Sequence, residues 1–185
     1  MALYFEHENK ILYHIPKTGG FAYRKYYKSL WGPPYKEINP WHGTPNQLEA
    51  PNNLNTIPGL MIVRHPVLWL RSFHTYYAQH SYTWPDLPDQ IKQWMEPYCR
   101  LDWPTFVYEI SKWEPNLVGR IYGLYYTGDM EVRRIEDMGL SIHHPTTGLP
   151  PVTSRLYIMM ARSESETMLR YGYNNYPVPS GERRE

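Results

Sequence analysis

An apolar run, Ile11-Leu12-Tyr13-His14-Ile15, stops at Pro16-Lys17-Thr18-Gly19-Gly20, and a helical repeat begins at once. Few folds accept that order. A buried strand that breaks in a glycine turn and re-enters as a helix leaves unpaired N–H groups at the helix start, and glycine lets an anion come close to them. Lys17 adds a mobile positive charge at the same place. The stretch therefore predicts a phosphate cradle made of Lys17, Thr18, Gly19 and Gly20.

The remaining pattern predicts alternation. Asn9–Ile15 reads as a short buried strand, and Gly20–Trp31 as a helix in which Ala22, Tyr26 and Leu30, and also Tyr23, Tyr27 and Trp31, recur every four residues. Gly32-Pro33-Pro34 stops it, and residues 33–58 read as a long loop rich in Pro and Asn. Leu60-Met61-Ile62-Val63 is a second strand ending in a charged turn, Arg64-His65-Pro66, with a helix from Val67 to about Tyr77. Asp102 suits the cap of a helix that runs to Trp113, with Pro104 in its first turn. Leu117–Tyr126 and Ser154–Tyr171 read as further helices, and 127–153 as irregular. Strands alternating with helices imply an α/β layered fold with a small parallel sheet. The length suits one domain over residues 1–176, with 177–185 as a flexible tail.

Composition narrows the partners. A net charge of +1 supplies no global attraction for nucleic acid or an anionic membrane. No apolar run reaches membrane-span length, and the first residues lack a signal-peptide layout, so the expected address is cytoplasmic. Cys99 is the single cysteine, so it can form no internal disulfide, and no clustered metal-ligand motif is present. Tyr is abundant (18) beside 4 Phe, which suits half-exposed clefts as well as core filling.

The two strand-to-helix turns belong together, because open parallel sheets bind ligands beyond the carboxyl ends of their strands. The second turn offers Arg64 and, eight residues later on the next helix, Ser72. Both can meet a second phosphate by charge and hydrogen bond. Taken alone, they read better as a structurally paired arginine and a helix-surface serine.

Ile15-Pro16-Lys17-Thr18-Gly19-Gly20 resembles the 5′-phosphosulfate loop of the sulfotransferases that use 3′-phosphoadenosine-5′-phosphosulfate (PAPS), in particular their carbohydrate-acting branch. Val63-Arg64-His65-Pro66 with Ser72 in register resembles that family's 3′-phosphate motif. The likeness covers roughly residues 9–77. It implies a P-loop-like three-layer fold, with a central parallel sheet flanked by helices, and transfer of a sulfuryl group from PAPS to a hydroxyl or amine of a glycan or small molecule, leaving the bisphosphate PAP. By the same resemblance Lys17 would stabilise the leaving phosphate and Thr18, Gly19 and Gly20 would hold the 5′-phosphate. Phe21 and Ala22 would contribute backbone donors, and Arg64 and Ser72 would bind the 3′-phosphate. The family's general base is His or Glu between the two motifs. His42 is the first candidate here, with Glu37 and Glu49 behind it.

The chain departs from the family pattern at three places. Phe21-Ala22 replaces the usual Thr-Ser and so removes two hydroxyl donors; His65 replaces an acid or amide, and Trp69 a frequent arginine. Two other functions stay open: a degenerate, glycan- or nucleotide-binding domain of this type, or a nucleotide-dependent phosphotransferase. Against the latter, the lysine precedes its glycines, and Arg64 stands where a magnesium-binding acid is wanted. His14 reads as a core histidine, His143-His144 as a weak metal pair, and Tyr76, Tyr77, Tyr82, Trp84, Trp94 and Tyr98 as packing or acceptor contacts. Arg120 and Arg155 are further candidates for the nucleotide, although nothing in their spacing demands it, and Cys99 reads as inert. Acceptor identity and oligomeric state are not encoded in these motifs.

Overall fold

The computed structural model describes residues 2–48, 56–79, 87–140 and 149–175. These gather into two compact units. One comprises Met1–Arg64, Trp84–Asp89 and Ile121–His144; the other comprises His65–Thr83, Gln90–Arg120 and Pro145–Glu185. The protein is mixed α/β, with a five-stranded sheet and, among the described residues, seven α-helices.

The first unit holds the whole sheet: β1 (Ala2–Phe5), β2 (Lys10–Tyr13), β3 (Tyr35–Ile38), β4 (Gly59–Val63) and β5 (Met130–Arg134), in the order β3-β1-β2-β4-β5. β2, β4 and β5 are parallel, while β1 pairs antiparallel with both β2 and β3. The expected parallel sheet is thus only the centre and one flank of a mixed one. β3 lies inside the segment expected as a loop, and β5 inside one expected as irregular. Both are sheet-edge strands of four or five residues, Tyr-Lys-Glu-Ile and Met-Glu-Val-Arg-Arg, half-exposed and charged. Pairing partners create such strands, and their own apolar periodicity is too weak to announce them.

Helix α1 (Gly20–Trp31) covers one sheet face. Tyr23 and Tyr27 pack with Leu3, Phe5, Leu12, Leu60, Ile62 and Ile135, and Trp31 and Tyr35 close the rim. Alternate residues of β1, β2 and β4 point into this layer, as the two-residue strand period requires. β4 is buried at every position, so its other face is covered as well.

The second unit is helical: α2 (Pro66–Gln79), α3 (Asp89–Met95), α4 (Trp103–Trp113), α6 (Ser154–Ser163) and α7 (Ser165–Arg170); α5 (Leu117–Gly123) lies on the boundary in sequence. Asp102 caps α4 as expected, accepting from Thr105 N–H at 3.2 Å, and Trp103, Phe106, Val107 and Ile110 form its buried stripe. The helix expected over Ser154–Tyr171 is broken at Glu164. Its buried carboxylate turns inward to accept Val118 N–H at 3.1 Å and the Thr167 hydroxyl at 2.8 Å, and burial raises its pKa. The Ser163 carbonyl accepts from Asn116 N–H at 2.9 Å. Tertiary bonds thus take over groups that a continuous helix would have used. The expected tail at 177–185 lies outside the described residues.

Ile62 is fully buried in the centre of the sheet layer. Ile62→Ala should cost about 2–5 kcal/mol, read as a lower urea midpoint at unchanged slope.

Candidate functional site

The loop after β2 adopts the backbone that its glycines suggest. Lys17 has φ 62° and Gly19 has φ 86°, ψ 28°, so two left-handed residues flank Thr18. Such a reversal turns successive N–H groups toward one point, a concavity that binds anions. Lys17 holds this conformation against the preference of a side-chain-bearing residue, a form of strain typical of functional turns. Among the described residues, the N–H groups of Gly19, Gly20 and Phe21 have no backbone acceptor. Two expected donors are committed elsewhere. The Thr18 hydroxyl donates to Ile15 O at 2.9 Å, and Ala22 N–H donates to Gly19 O at 2.9 Å.

His14 explains why residue 20 is glycine. A Cβ there would sit 1.8 Å from His14 Nε2. The Nε2 edge of the imidazole faces the first turn of α1, and the ring packs on Tyr23, Trp41 and His42, with ring centroids at 6.2, 5.4 and 4.5 Å. It is buried, and desolvation holds its pKa well below the usual histidine value. His14 is therefore the post on which the loop rests. Only its place at the end of a buried strand hinted at this.

The second motif meets the first through the sheet. Parallel pairing of Leu12 with Leu60 and of Tyr13 with Met61 puts the carboxyl ends of β2 and β4 side by side. Arg64, one residue beyond β4, donates from Nη1 to Lys17 O at 3.2 Å. Its own main chain is gripped by Tyr122, whose hydroxyl accepts from Arg64 N–H at 3.0 Å and donates to Arg64 O at 2.8 Å. Burial, and then the Arg64 charge, lower the Lys17 amine to about 8. Two cations thus converge on one glycine loop. An anion placed between them would relieve their repulsion.

His42 arrives on the segment after β3. Its Nδ1 donates to His14 O at 3.0 Å, which leaves Nε2 as the basic nitrogen of the neutral ring. The Tyr125 hydroxyl donates to His42 O at 2.6 Å. Burial, and then the charges of Lys17 and Arg24, lower His42 to about 4 against the pull of its hydrogen bond to His14. Glu37 is occupied: Arg24 and Lys28 each donate to Oε1 at 3.0 Å, and the Lys28 bond leads in lowering its pKa. That makes it a poor base. Glu49 lies outside the described residues.

Lys17, Thr18, Gly19, Gly20, Phe21, Ala22, His42 and Arg64 all belong to the first unit, and Ser72 belongs to the second, buried on α2. Trp69 is fully buried there and stacks on Phe73 at 4.7 Å, so it is a core residue. His65 is also core, beside Tyr157 and Tyr173. Arg120 pairs with Glu114 and covers Trp94, while Arg155 is exposed. Burial pushes the Cys99 thiol up to about 12, and Sγ donates to Met95 O. Tyr82, Trp84 and His143-His144 lie outside the described residues, among which no group of His, Cys, Asp and Glu could hold a metal and no helix is long and apolar enough to cross a membrane. Sequence reasoning missed Tyr122 and Tyr125, which sit at the end of a short helix with no motif around them.

Compared with family models, curated proteins and solved structures, the chain matches none.

Two outcomes follow from this geometry. Gly20→Ala should destabilise the protein by about 1–3 kcal/mol through overpacking. His14→Ala in the same chain should recover part of that loss in a double-mutant thermal series. The His42 ring should stay neutral down to about pH 4, read from its imidazole carbon shifts in an NMR titration.

Proposed function

We propose that this protein transfers a sulfuryl group from PAPS to a hydroxyl acceptor. The observation that carries the reading is the convergence of Lys17 and Arg64 on the glycine loop, joined by the 3.2 Å bond from Arg64 to Lys17 O. Among the described residues this unit offers backbone donors, two cations and a neutral imidazole, which is a set suited to a bisphosphate and a proton transfer. The motif resemblance adds the order in which they are used and makes the fold P-loop-like.

PAPS supplies the activated sulfuryl group. The N–H groups of Gly19, Gly20 and Phe21 hold the 5′-phosphate at the start of α1, and Lys17 meets the negative charge that grows on it as the sulfur–oxygen bond breaks. The 3′-phosphate falls, by the resemblance, to Arg64. His42 Nε2 takes the proton from the acceptor hydroxyl as its oxygen bonds to sulfur. Fixing Nδ1 on the His14 carbonyl keeps Nε2 available for that task. A low pKa in the free protein keeps the base unprotonated at neutral pH, although it also makes it weak. Donor negative charge next to Lys17 would raise that pKa toward the working range.

A second reading rests on Phe21-Ala22. The loop has lost the two hydroxyls that the family uses, which suits a domain that binds the nucleotide without turning it over. Unchanged PAPS after long incubation with acceptors, alongside tight PAP binding, would select that reading.

Calorimetric titration with PAP tests the donor site. Lys17→Ala and Arg64→Ala should each weaken binding about 10- to 100-fold, the worth of a charged hydrogen bond. PAP affinity should be flat between about pH 7 and 8, where both phosphates of PAP are fully ionised, and fall above that range by up to about tenfold per pH unit. The sign follows from Lys17: it is charged below about 8, and above that pH binding must first return its proton. Lys17→Arg should flatten the profile, and absence of PAP binding would overturn the assignment.

A further inference from the structure

Phe21 is 77% exposed although it follows the cradle glycines directly. Scattered exposed apolar residues are ordinary, but this one has a partner on another element. Its ring lies 6.1 Å from that of Trp41, tilted by 48°. Trp41 is held from behind. The Arg24 guanidinium lies over its ring at 5.0 Å, Glu37 fixes Arg24, and the His14 edge meets it at 5.4 Å. Trp41 is also the chain neighbour of His42, with ring centroids 6.4 Å apart. Two aromatic rings, one exposed and one held by its neighbours, thus stand beside both the N–H donors and the candidate base.

We infer that Phe21 and Trp41 form the platform for the acceptor, stacking on the apolar face of the ring that bears the reacting hydroxyl. The inference rests on the sulfotransferase reading for the word acceptor, while the platform itself rests on the rings alone. The base decides which ligand ring goes here. His42 must reach the acceptor hydroxyl, so aromatic surface adjoining His42 is on the acceptor side of the transferred group and away from the adenine end. An aryl alcohol and a pyranoside both present such a face, one through its π surface and the other through its axial C–H groups. On this account the loss of a hydroxyl at position 21 exchanges a donor contact for an acceptor contact, and residue 21 keeps its backbone N–H for the phosphate.

Saturation-transfer NMR with phenol, methyl β-galactopyranoside and acyclic propane-1,3-diol, each with and without PAP, tests this on the full chain. PAP affinity is measured in parallel by calorimetry. The wild type should bind at least one ring compound and not the diol, and Phe21→Ala should weaken that ring about tenfold or more, a larger factor than its effect on PAP affinity. Phe21→Trp should restore the ring. Phenol alone binding assigns an aryl alcohol, the galactoside alone assigns a sugar, and both responding assigns the shared ring face. Ring binding that depends on Phe21 in a protein that never binds PAP would keep the platform and sink the sulfotransferase reading. No ring binding by the wild type, or ring binding untouched by Phe21→Ala, would overturn the platform. So would a Phe21→Ala loss confined to PAP, which would assign the ring to the nucleotide.

Discussion

The parallel pairing of β2 with β4 is the constraint on which the site depends. Its register, Leu12 opposite Leu60 and Tyr13 opposite Met61, brings two strand ends together that are far apart along the chain. Only then can Arg64 bond to the carbonyl of Lys17. The bond itself is favourable, but the charges it brings together are not. Burial, and then the Arg64 charge, lower the Lys17 amine to about 8. A fold that spends burial free energy to hold cations together is preorganised for an anion, since no rearrangement of its own charges is then needed when the anion arrives. The buried apolar layer around Leu12, Leu60 and Ile62 is what offsets the cost.

Tyrosine hydroxyls solve the accompanying backbone problem. Turns at the ends of buried strands carry N–H and C=O groups with no ladder partner, and buried groups of that kind must be satisfied. Tyr122 serves both polar groups of Arg64, Tyr125 serves the carbonyl of His42, and Tyr23 serves the carbonyl of Tyr13 at 3.1 Å. All three rings are fully buried. Tyr does two things at once here, filling the core with its ring and bonding an irregular backbone with its tip. These three tyrosines therefore have a task at the site beyond general core filling.

Histidines divide between the two units in a similar way. The His14 and His42 ring centroids sit 4.5 Å apart and both rings are held neutral by burial, one as a packing post and the other as the candidate base. His74 of the helical unit uses Nε2 on Leu101 O at 2.8 Å and packs against Trp103 and Phe106, so it serves the core. Residue type alone would not separate these roles. The hydrogen-bond partner of each ring nitrogen does.

The sequence by itself determined the local elements whose cause is local. The strand, glycine turn and helix at Lys10–Trp31, the buried run of β4 and the Asp102 cap depend on neighbours within a few residues, and their patterns are strong. It also marked Lys17, Gly19, Gly20 and Arg64 as candidate ligand residues, because anion chemistry demands those residue types at turns. Tertiary structure decided whatever depends on distant partners. β3 and β5 exist because sheet edges were there to receive them, and the helix breaks at Glu164 where the Ser163 carbonyl accepts from Asn116 N–H. Gly20 is tied to His14, Ala22 lost its donor to Gly19, and Glu37 was claimed by two cations. Periodicity reports burial of a face, whereas such pairings are set by which groups the packed core brings within about 3 Å, and no window along the chain contains that information.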